Sequence, residues 1–259
     1  MPKVRRSADS ILILGGTTDA RQLAQQLAAD FPHCQLTMSL AGRTRAPRSQ
    51  PIATRIGGFG GANGLADWLV AHSITLLIIA THPFAAQMPV NAVMAARHAG
   101  IPVLRLLRPS WQPQLNDDWE HCHSLDEAAA LLGESPQRVF LPIGRQSVAS
   151  FVVAPHHHYV VRSIEPLDKG LALPHLHTIQ ERGPFSLHAE KALMQHWEIT
   201  RMVCKNSGGE SMAEKLHAAR LLNIPVIMVE RPLLPVTVMT FNDPASLALA
   251  LPDYITVHS

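Results

Sequence analysis

Residues 11–20 read Ile-Leu-Ile-Leu-Gly-Gly-Thr-Thr-Asp-Ala, a short apolar run followed by two glycines and a polar segment. Its apolar run predicts a strand buried on both faces, and the segment after the glycines puts Leu23, Ala24 and Leu27 on one face of a helix. Glycines at such a junction let a pyrophosphate approach the backbone, and the helix start attracts its charge. The pattern departs from Gly-x-Gly-x-x-Gly, so a plain strand-to-helix turn is the alternative. The candidate dinucleotide-binding residues are Gly15, Gly16, Thr17, Thr18 and Asp19.

The second half of the chain repeats this kind of unit. Ile-Pro-Val, preceded by Gly or Asn and followed by Arg-Pro, occurs at 100–109 and again, with the same internal spacing, at 223–232. In each copy a helix ends at the Gly or Asn, and a β-branched strand then stops at Arg-Pro. The first strand also has a counterpart, because residues 139–144 again run from apolar residues into glycine. We predict a tandem duplication; chance resemblance of two α/β halves is the alternative.

Short strands rich in Val, Ile and Leu alternate with helical segments in both halves. This alternation predicts an α/β fold with two Rossmann-like domains, each a parallel sheet with helices on both faces. We place the domains at residues 1–135, which would bind the cofactor, and 136–259, which would bind the substrate. Ligands of such sheets bind beyond the carboxyl ends of the strands, so we expect the active site in a cleft between the domains.

The overall charge narrows the class of partner. The chain has 22 basic and 20 acidic residues and a net charge of +2, which is too balanced to indicate a nucleic-acid or membrane surface. A small-molecule partner is therefore expected. The apolar runs fall far short of the ~20 residues that a bilayer requires, and we expect a soluble cytoplasmic protein. The sequence leaves the oligomeric state open, a monomer included.

Metal and thiol chemistry are not indicated. Cys34, Cys122 and Cys204 lie far apart and are expected to be reduced and buried. The segments His156-His157-His158 and His121-Cys122-His123 lack the spaced second ligand pair that zinc sites show. We therefore expect no metal.

The second strand, Gln35–Leu40, indicates which dinucleotide would bind. An NAD site usually ends this strand with an acid that binds the ribose hydroxyls, but here Ser39 stands near that place and Ala41-Gly42-Arg43-Thr44-Arg45 follows. A serine with flanking guanidinium groups suits a 2′-phosphate, because arginine can hold phosphate oxygens in a bidentate fork. NADPH is thus favoured over NADH; the arginines could instead be solvated loop charges. The candidates are Ser39, Gly42, Arg43 and Thr44.

Two more loops of the first half are candidates. Ile56-Gly57-Gly58-Phe59-Gly60-Gly61 has a glycine density that only a loop tolerates, and such a loop admits close backbone approach. Thr81-His82-Pro83-Phe84 follows the buried strand Leu76–Ala80, which puts His82 where a nicotinamide would lie. A structural hydrogen-bonding role for His82 is equally open. From these loops the candidates are Gly58, Phe59, Gly60, Thr81 and His82.

The second half offers a basic cradle. Lys205-Asn206-Ser207-Gly208-Gly209 follows the strand Met202–Cys204 and precedes a helix predicted at Met212–Leu222, an arrangement that suits phosphate or carboxylate. Other polar residues stand at strand ends of the same half, so a polyanionic substrate is expected, although each could instead be an ion-pair partner. The substrate-binding candidates are Arg145, Gln146, Arg162, Arg182, Lys205, Asn206, Ser207, Gly208 and Gly209.

Seven segments, in order and spanning about residues 11 to 235, resemble the precorrin-6A reductase family. They are Gly-Gly-Thr-Thr-Asp-Ala-Arg (15–21), Ser-Leu-Ala-Gly-Arg-Thr (39–44), Arg-Ile-Gly-Gly-Phe-Gly-Gly (55–61), Ala-Thr-His-Pro-Phe-Ala (80–85), Ile-Gly-Arg-Gln (143–146), Arg-Gly-Pro-Phe (182–185) and Lys-Asn-Ser-Gly-Gly (205–209). The resemblance implies hydride transfer from NADPH to a macrocycle double bond, which turns precorrin-6A into precorrin-6B. The basic loops would then bind the carboxylates of this tetrapyrrole substrate.

Under this hypothesis residues 15–19 hold the pyrophosphate, Ser39, Arg43 and Thr44 hold the 2′-phosphate, and Thr81 and His82 line the nicotinamide region. Hydride transfer needs alignment of donor and acceptor carbons more than an acid or a base. The proton could come from water, from His82 or from Lys205.

Three alternatives stay open. One is cobalt-precorrin-6A reduction in the anaerobic pathway, one is a two-domain nucleotide-sugar transferase, and one is a non-catalytic sensor of NADPH.

Overall fold

The structure, a computed structural model, describes residues 9–42, 49–167, 170–234 and 238–255. These residues form two six-stranded sheets, and the strands of both sheets pair in parallel. The predicted α/β fold with parallel sheets is thereby confirmed. None of the helices in these ranges has the length and apolar character needed to cross a membrane.

Strands and helices are numbered along the chain. The strands are β1 (Ser10–Leu14), β2 (Gln35–Leu40), β3 (Ala53–Ile56), β4 (Leu76–Ile79), β5 (Val103–Leu106), β6 (Trp119–Cys122), β7 (Arg138–Leu141), β8 (His158–Ser163), β9 (Leu176–Gln180), β10 (Arg201–Lys205), β11 (Val226–Val229) and β12 (Met239–Phe241). The α-helices are α1 (Thr18–Asp30), α2 (Gly61–Ala71), α3 (Gln87–Ala99), α4 (Leu125–Ala130), α5 (Leu187–His196), α6 (Glu214–Leu221) and α7 (Pro244–Ala250).

The two sheets have similar strand orders. The first is ordered β12-β5-β4-β1-β2-β3 and the second β6-β11-β10-β7-β8-β9. Counted within its own unit, the first sheet has the doubly wound 3-2-1-4-5-6 arrangement of a Rossmann fold. In the second sheet β7 to β11 occupy the first five places of that arrangement, and β6, which precedes them in the chain, occupies the sixth. The point where the order reverses lies at β1 and β4 in the first sheet, and at β7 and β10 in the second.

The last strand of each sheet comes from the other repeat. In the chain β6 follows β5, but it pairs with β11, and β12 follows β11 but pairs with β5. The chain therefore divides into unit 1, Met1–Arg108 with Leu233–Ser259, and unit 2, Pro109–Pro232. This corrects the predicted boundary between residues 135 and 136. Local sequence identifies a strand by its pattern, but two similar sheet edges leave its partner undetermined.

The continuous apolar run of β1 is explained by burial on both faces of its sheet. Ile11 and Ile13 pack into one hydrophobic cluster together with α1 residues, including Leu23. Leu12 and Leu14 pack into a second cluster on the opposite face, with residues of α2 and α3. Full burial of each such side chain contributes on the order of 1.5–3 kcal/mol. The strand that carries the glycine loop is thus rigidly held.

Candidate functional site

The carboxyl ends of β1, β2 and β4 are tied together around the glycine loop. The Gly15 N–H donates to the Ser39 carbonyl oxygen at 2.9 Å. The Thr17 hydroxyl donates to the Ala80 carbonyl oxygen at 3.0 Å and accepts from the Ala20 N–H at 3.0 Å. Thr17 therefore caps α1 and fixes the end of β4 at the same time. The hydroxyl proton of this candidate residue is thus engaged with a carbonyl oxygen.

The two glycines of this loop have different requirements. A Cβ on Gly15 would lie 2.0 Å from the Met38 sulfur, so the loop packs too closely on β2 for a larger residue. Gly16 has φ +112°, and no heavy atom of the described residues lies within 4 Å of where its Cβ would be. The backbone at Gly16 is thus open beside the first turn of α1, where Thr18 begins the helix. This geometry fits a pyrophosphate bound by backbone amides.

Asp19 is paired within unit 1. Its carboxylate accepts a hydrogen bond from Arg108 Nη1 at 3.0 Å, and both side chains are mostly buried. The pair offsets a negative charge that would otherwise stand in the first turn beside the open loop. Arg108 was not selected from the sequence, although the repeated Arg-Pro signature contains it.

The end of β2 is joined to the glycine-rich loop by an arginine. Ser39 is only 7% exposed, and its hydroxyl accepts from Arg55 Nη1 at 2.8 Å. Arg55 also donates from Nη1 to the Gly57 carbonyl and from Nη2 to the Gly58 carbonyl, each at 3.0 Å. The Arg55 Cζ lies 3.8 Å from the centroid of the Phe59 ring. The sequence around Arg55 did not indicate these contacts, because they depend on the pairing of β2 with β3.

Other candidates of unit 1 have less defined surroundings. Gly42 is exposed with φ +73°, and Gly60 is the N-cap of α2 with φ +80°. Arg43 and Thr44, and Arg45 beside them, lie outside the described residues. The predicted 2′-phosphate contacts of the loop after β2 therefore stay predictions.

Thr81 and His82 follow β4 directly. Thr81 is half-buried and His82 is exposed. The His82 Nδ1 accepts a hydrogen bond from the Phe84 N–H at 3.2 Å. An accepting Nδ1 carries no proton, so the neutral ring has its proton on Nε2. His82 can thus donate from Nε2 at the carboxyl end of β4, next to the strand end that Thr17 fixes.

In unit 2 the equivalent loop has a different local structure. β7 leads through Gly144 into a 3₁₀ helix, Arg145–Val153, rather than into an α-helix. The Lys205 Nζ donates to the Ser147 hydroxyl at 2.6 Å, which ties the end of β10 to this loop. Arg145 is half-buried and Gln146 is exposed. Cationic and amide groups are thus gathered at the carboxyl edge of the second sheet.

The cradle after β10 is only partly as predicted. Asn206 is 2% exposed; its Oδ1 accepts from the Trp111 N–H at 2.8 Å, and its Nδ2 donates to the Trp111 carbonyl at 3.2 Å. Asn206 therefore anchors the segment that begins unit 2 and does not face a ligand. Gly208 has φ +68°, and a Cβ there would lie 1.9 Å from the Pro109 carbonyl oxygen. Packing of the same segment thus explains this glycine.

The helix predicted to begin beside the cradle begins later. A 3₁₀ turn, Glu210–Met212, follows Gly209, and α6 starts only at Glu214. The predicted start at Met212 is therefore corrected. Because the dipole effect is confined to the first turn of a helix, it does not support the cradle. Ser207 and Gly209 are half-buried at the carboxyl end of β10, where Lys205 supplies the charge.

Two predicted arginines of unit 2 have different positions. Arg162 forms a buried ion pair with Glu190 at 2.6 Å, with side-chain exposures of 6% and 3%. The Arg162 Cζ lies 3.7 Å from the Phe185 ring centroid, so this arginine supports the Arg-Gly-Pro-Phe loop from below. Arg182, in that loop, is exposed. Arg162 is thus a structural residue, and Arg182 remains a candidate for ligand contact.

The thiols and the buried histidine have no catalytic arrangement. Burial raises the pKa of Cys122 to about 11 and also raises the pKa of Cys204, so both stay protonated at neutral pH. His157 is fully buried, and burial lowers its pKa. Among the described residues, no group of three or more His, Cys, Asp or Glu side chains could hold a metal.

Fold and site together define a class: an α/β protein of two Rossmann-like units, with an open glycine loop at the start of α1 in one and a basic strand edge in the other. The model of the precorrin-6x reductase CbiJ/CobK family matches residues 10–251. The chain belongs to this family.

Individual relatives agree with the family. A precorrin-6A reductase of Sinorhizobium sp is 50% identical over 221 residues, which cover 85% of this chain and 84% of that protein. A solved structure, CobK precorrin-6A reductase, superposes with a TM-score of 0.89 at 41% identity and covers 95% of this chain and 97% of its own. A cobalt-precorrin-6A reductase of Priestia megaterium is 29% identical over 232 residues, 86% of this chain and 90% of that protein.

Proposed function

We propose that the protein is a precorrin-6A reductase that uses NADPH to reduce a carbon–carbon double bond of the precorrin-6A macrocycle, giving precorrin-6B. The observation that carries the cofactor assignment is the end of β2, where Ser39 and Arg55 are hydrogen-bonded in the place that an NAD site gives to an acid. Identity of 50% to a precorrin-6A reductase, against 29% to a cobalt-precorrin-6A reductase, favours the cobalt-free substrate.

The residues of unit 1 suit NADPH. The open backbone at Gly16 and the amides at the start of α1 would bind the pyrophosphate. Ser39, together with Arg43 and Thr44, would bind the 2′-phosphate, while Thr81 and His82 would border the nicotinamide. When bound, the nicotinamide supplies the hydride; the protein contributes alignment and electrostatics.

The basic edge of unit 2 suits a substrate with many carboxylates. Lys205 is held by Ser147 at the end of β10. A hydrogen bond from Lys205 to a substrate carboxylate would contribute about 1.5–3 kcal/mol. Arg162 and Asn206 would act through the loops that they support. The residues proposed to meet the substrate are Arg145, Gln146, Arg182, Lys205, Ser207, Gly208 and Gly209.

Two side chains are candidates for delivering the proton that accompanies the hydride. His82 carries its proton on Nε2 because Nδ1 accepts from the Phe84 N–H, and Lys205 is a cationic donor. His82→Ala and Lys205→Ala are tested for the maximal rate at saturating substrate. A fall in kcat that is restored by raising the concentration of an added acid buffer identifies the donor. An unchanged kcat in both variants makes water the donor.

One assay tests the proposed reaction. NADPH absorbance is followed after addition of precorrin-6A, with cobalt-precorrin-6A and NADH in parallel reactions. We expect stoichiometric loss of NADPH absorbance with precorrin-6A, and much slower loss with NADH. Turnover of the cobalt form alone would reassign the substrate. Absence of turnover together with tight NADPH binding would instead indicate a sensor, and binding of a sugar nucleotide would indicate a transferase.

A further inference from the structure

Among the described residues, the hydrogen-bond partners of Arg55 are neutral groups. Its hydrogen bonds go to the Ser39 hydroxyl and to the carbonyl oxygens of Gly57 and Gly58. Within the described ranges, no carboxylate lies in ion-pair distance of its guanidinium. Arg43 and Arg45 lie outside these ranges, and Arg55 supplies a positive charge of defined position beside Ser39.

The position of Arg55 in the sheet is the informative part. β2 and β3 are neighbours, and Ser39 and Arg55 are register partners. In an NAD site the carboxyl end of β2 carries an acid that binds the ribose 2′- and 3′-hydroxyls. Here the same point of the fold presents a hydroxyl and a guanidinium, which would repel no phosphate and would leave the ribose hydroxyls of NADH without an acidic acceptor.

The guanidinium is also held in a fixed orientation. Its Cζ lies 3.8 Å from the Phe59 ring centroid and 5.7 Å from that of Trp68, and Phe59 and Trp68 themselves meet edge to face at 5.6 Å. An arginine has five N–H donors. The three bonds described use two from Nη1 and one from Nη2, which leaves the Nε–H and the second Nη2–H to face a ligand. A preorganised fork loses little freedom when it binds phosphate.

Partial burial of this cation is a cost that an anion would offset. Burial lowers the pKa of Arg55, because partial desolvation disfavours the charged guanidinium. A dianionic phosphate placed against the free N–H groups would restore favourable electrostatics. The ligand chemistry that fits is a phosphate monoester on a ribose.

We infer that Arg55 determines cofactor specificity: its guanidinium, aligned by Ser39 and the Phe59 ring, binds the 2′-phosphate of an adenosine dinucleotide and so selects NADPH over NADH. This inference rests on the proposed function, since it concerns the residue that reads the cofactor named there. It adds Arg55 to the sequence-based assignment, which gave the 2′-phosphate to Ser39, Arg43 and Thr44.

The test measures binding and not turnover. Isothermal titration of the full chain with adenosine 2′,5′-bisphosphate and with 5′-AMP isolates the 2′-phosphate, because the two probes differ only in that group. For Arg55→Gln we expect the affinity for the bisphosphate to fall by about 10-fold to 100-fold, while 5′-AMP affinity stays within about 2-fold. Arg97→Gln, at an exposed position in the last turn of α3, is the matched control and should change neither affinity.

Arg55→Lys separates the effect of the charge from that of the guanidinium geometry. It also replaces Arg55→Gln in the test if the thermal unfolding midpoint shows that Arg55→Gln does not fold. Lysine keeps the charge but not the fork, so an intermediate loss, confined to the bisphosphate, supports the inference. Equal loss of both probes overturns it, because Arg55 would then only support the loop. Unchanged preference for the bisphosphate also overturns it, yet leaves the NADPH assignment intact. A wild-type chain without any preference overturns the NADPH assignment and the inference together.

Discussion

The loops after β1 and after β7 occupy matching places in their two sheets, yet they differ in local structure. In unit 1, Gly16 is followed by the N-cap Thr17 and the α-helix α1, and the space beside the Gly16 Cα is open among the described residues. In unit 2, Gly144 leads into a 3₁₀ helix that starts with Arg145. Matching places in two sheets thus carry loops of different local structure, because the residues after the glycine differ.

The ties between strand ends differ in the same way. In unit 1 a neutral hydroxyl, Thr17, bonds to the Ala80 carbonyl, so the loop stays uncharged and suits a pyrophosphate bound by amides. In unit 2 the corresponding tie is a cation, Lys205, bonded to Ser147. We propose that the first loop holds the cofactor and that its copy faces the carboxylates of the substrate.

The largest expected effect is a loss in the free energy of unfolding when the buried ion pair of unit 2 is removed. Glu190→Ala leaves Arg162 buried without its carboxylate, and loss of one partner of such a pair costs about 3–5 kcal/mol. Glu120→Ala is the matched control, since Glu120 pairs with Arg201 but is 45% exposed, and an exposed pair contributes about 0–1 kcal/mol. Urea unfolding of both variants measures the difference. If both variants lost the same small free energy of unfolding, the buried Arg162–Glu190 pair would not stabilise unit 2 more than an exposed pair does.

The next effect separates the two loops directly. Gly16→Ala and Gly144→Ala each place a Cβ at positive φ without a nearby clash, so both should cost about 1–3 kcal/mol of strain. Gly16→Ala should also weaken NADPH binding by about 10-fold or more, because its Cβ occupies the approach to the loop amides. Gly144→Ala should leave NADPH affinity unchanged. Similar NADPH affinities in the two variants would remove the distinction between the loops.

A sharper test of unit 1 concerns the loop after β2. Arg43→Ala should weaken NADPH binding by about 1.5–3 kcal/mol and NADH binding far less, because one charge-assisted contact to the 2′-phosphate is lost. Fluorescence titration with each cofactor gives the two dissociation constants. Arg43 would have no part in 2′-phosphate recognition if both affinities fell by the same factor.

The smallest expected effect is on the pH dependence of the free energy of unfolding, and it comes from His157 in unit 2. Burial lowers the pKa of His157, so the unfolded chain binds a proton at higher pH than the folded one. The free energy of unfolding should therefore fall as the pH drops below about 6.5, the ordinary histidine value. His157→Gln, which can still accept from the Gln137 N–H, should flatten this slope relative to wild type. His98→Gln, at an exposed position, is the control and should leave the slope as in wild type. If His98→Gln and His157→Gln gave the same slope, His157 would not be the source of the pH dependence.

The parts of the fold written in local sequence could be predicted. β1, its glycine loop and the buried face of α1 follow from hydrophobic periodicity and glycine placement, and Leu23, Ala24 and Leu27 are indeed fully buried. The repeat likewise predicted an α/β unit in each half of the chain, and the described residues form two parallel six-stranded sheets. These features depend on neighbours within a few residues, which is the range over which pattern reasoning holds.

What could not be predicted depends on partners far along the chain. The exchange of β6 and β12 is a choice between two similar sheet edges. Arg162 is buried because it pairs with Glu190 in another element, and Asn206 is buried because it bonds to Trp111. Since these partners are distant in the sequence, the residues near Arg162 and Asn206 do not distinguish them from ligand-binding residues. Arg55 was overlooked for the same reason, because its link to Ser39 exists only once β2 and β3 pair.

Hydrogen–deuterium exchange of the full chain, with and without NADP⁺, tests most directly whether unit 1 alone reads the cofactor. We expect slower exchange on NADP⁺ binding in peptides that cover residues 10–20, 36–42 and 53–62. We expect no change in the exchange of peptides that cover residues 142–150 and 203–210. Protection of the second set, or of both sets equally, would contradict the assignment of cofactor to the first loop and substrate to its copy.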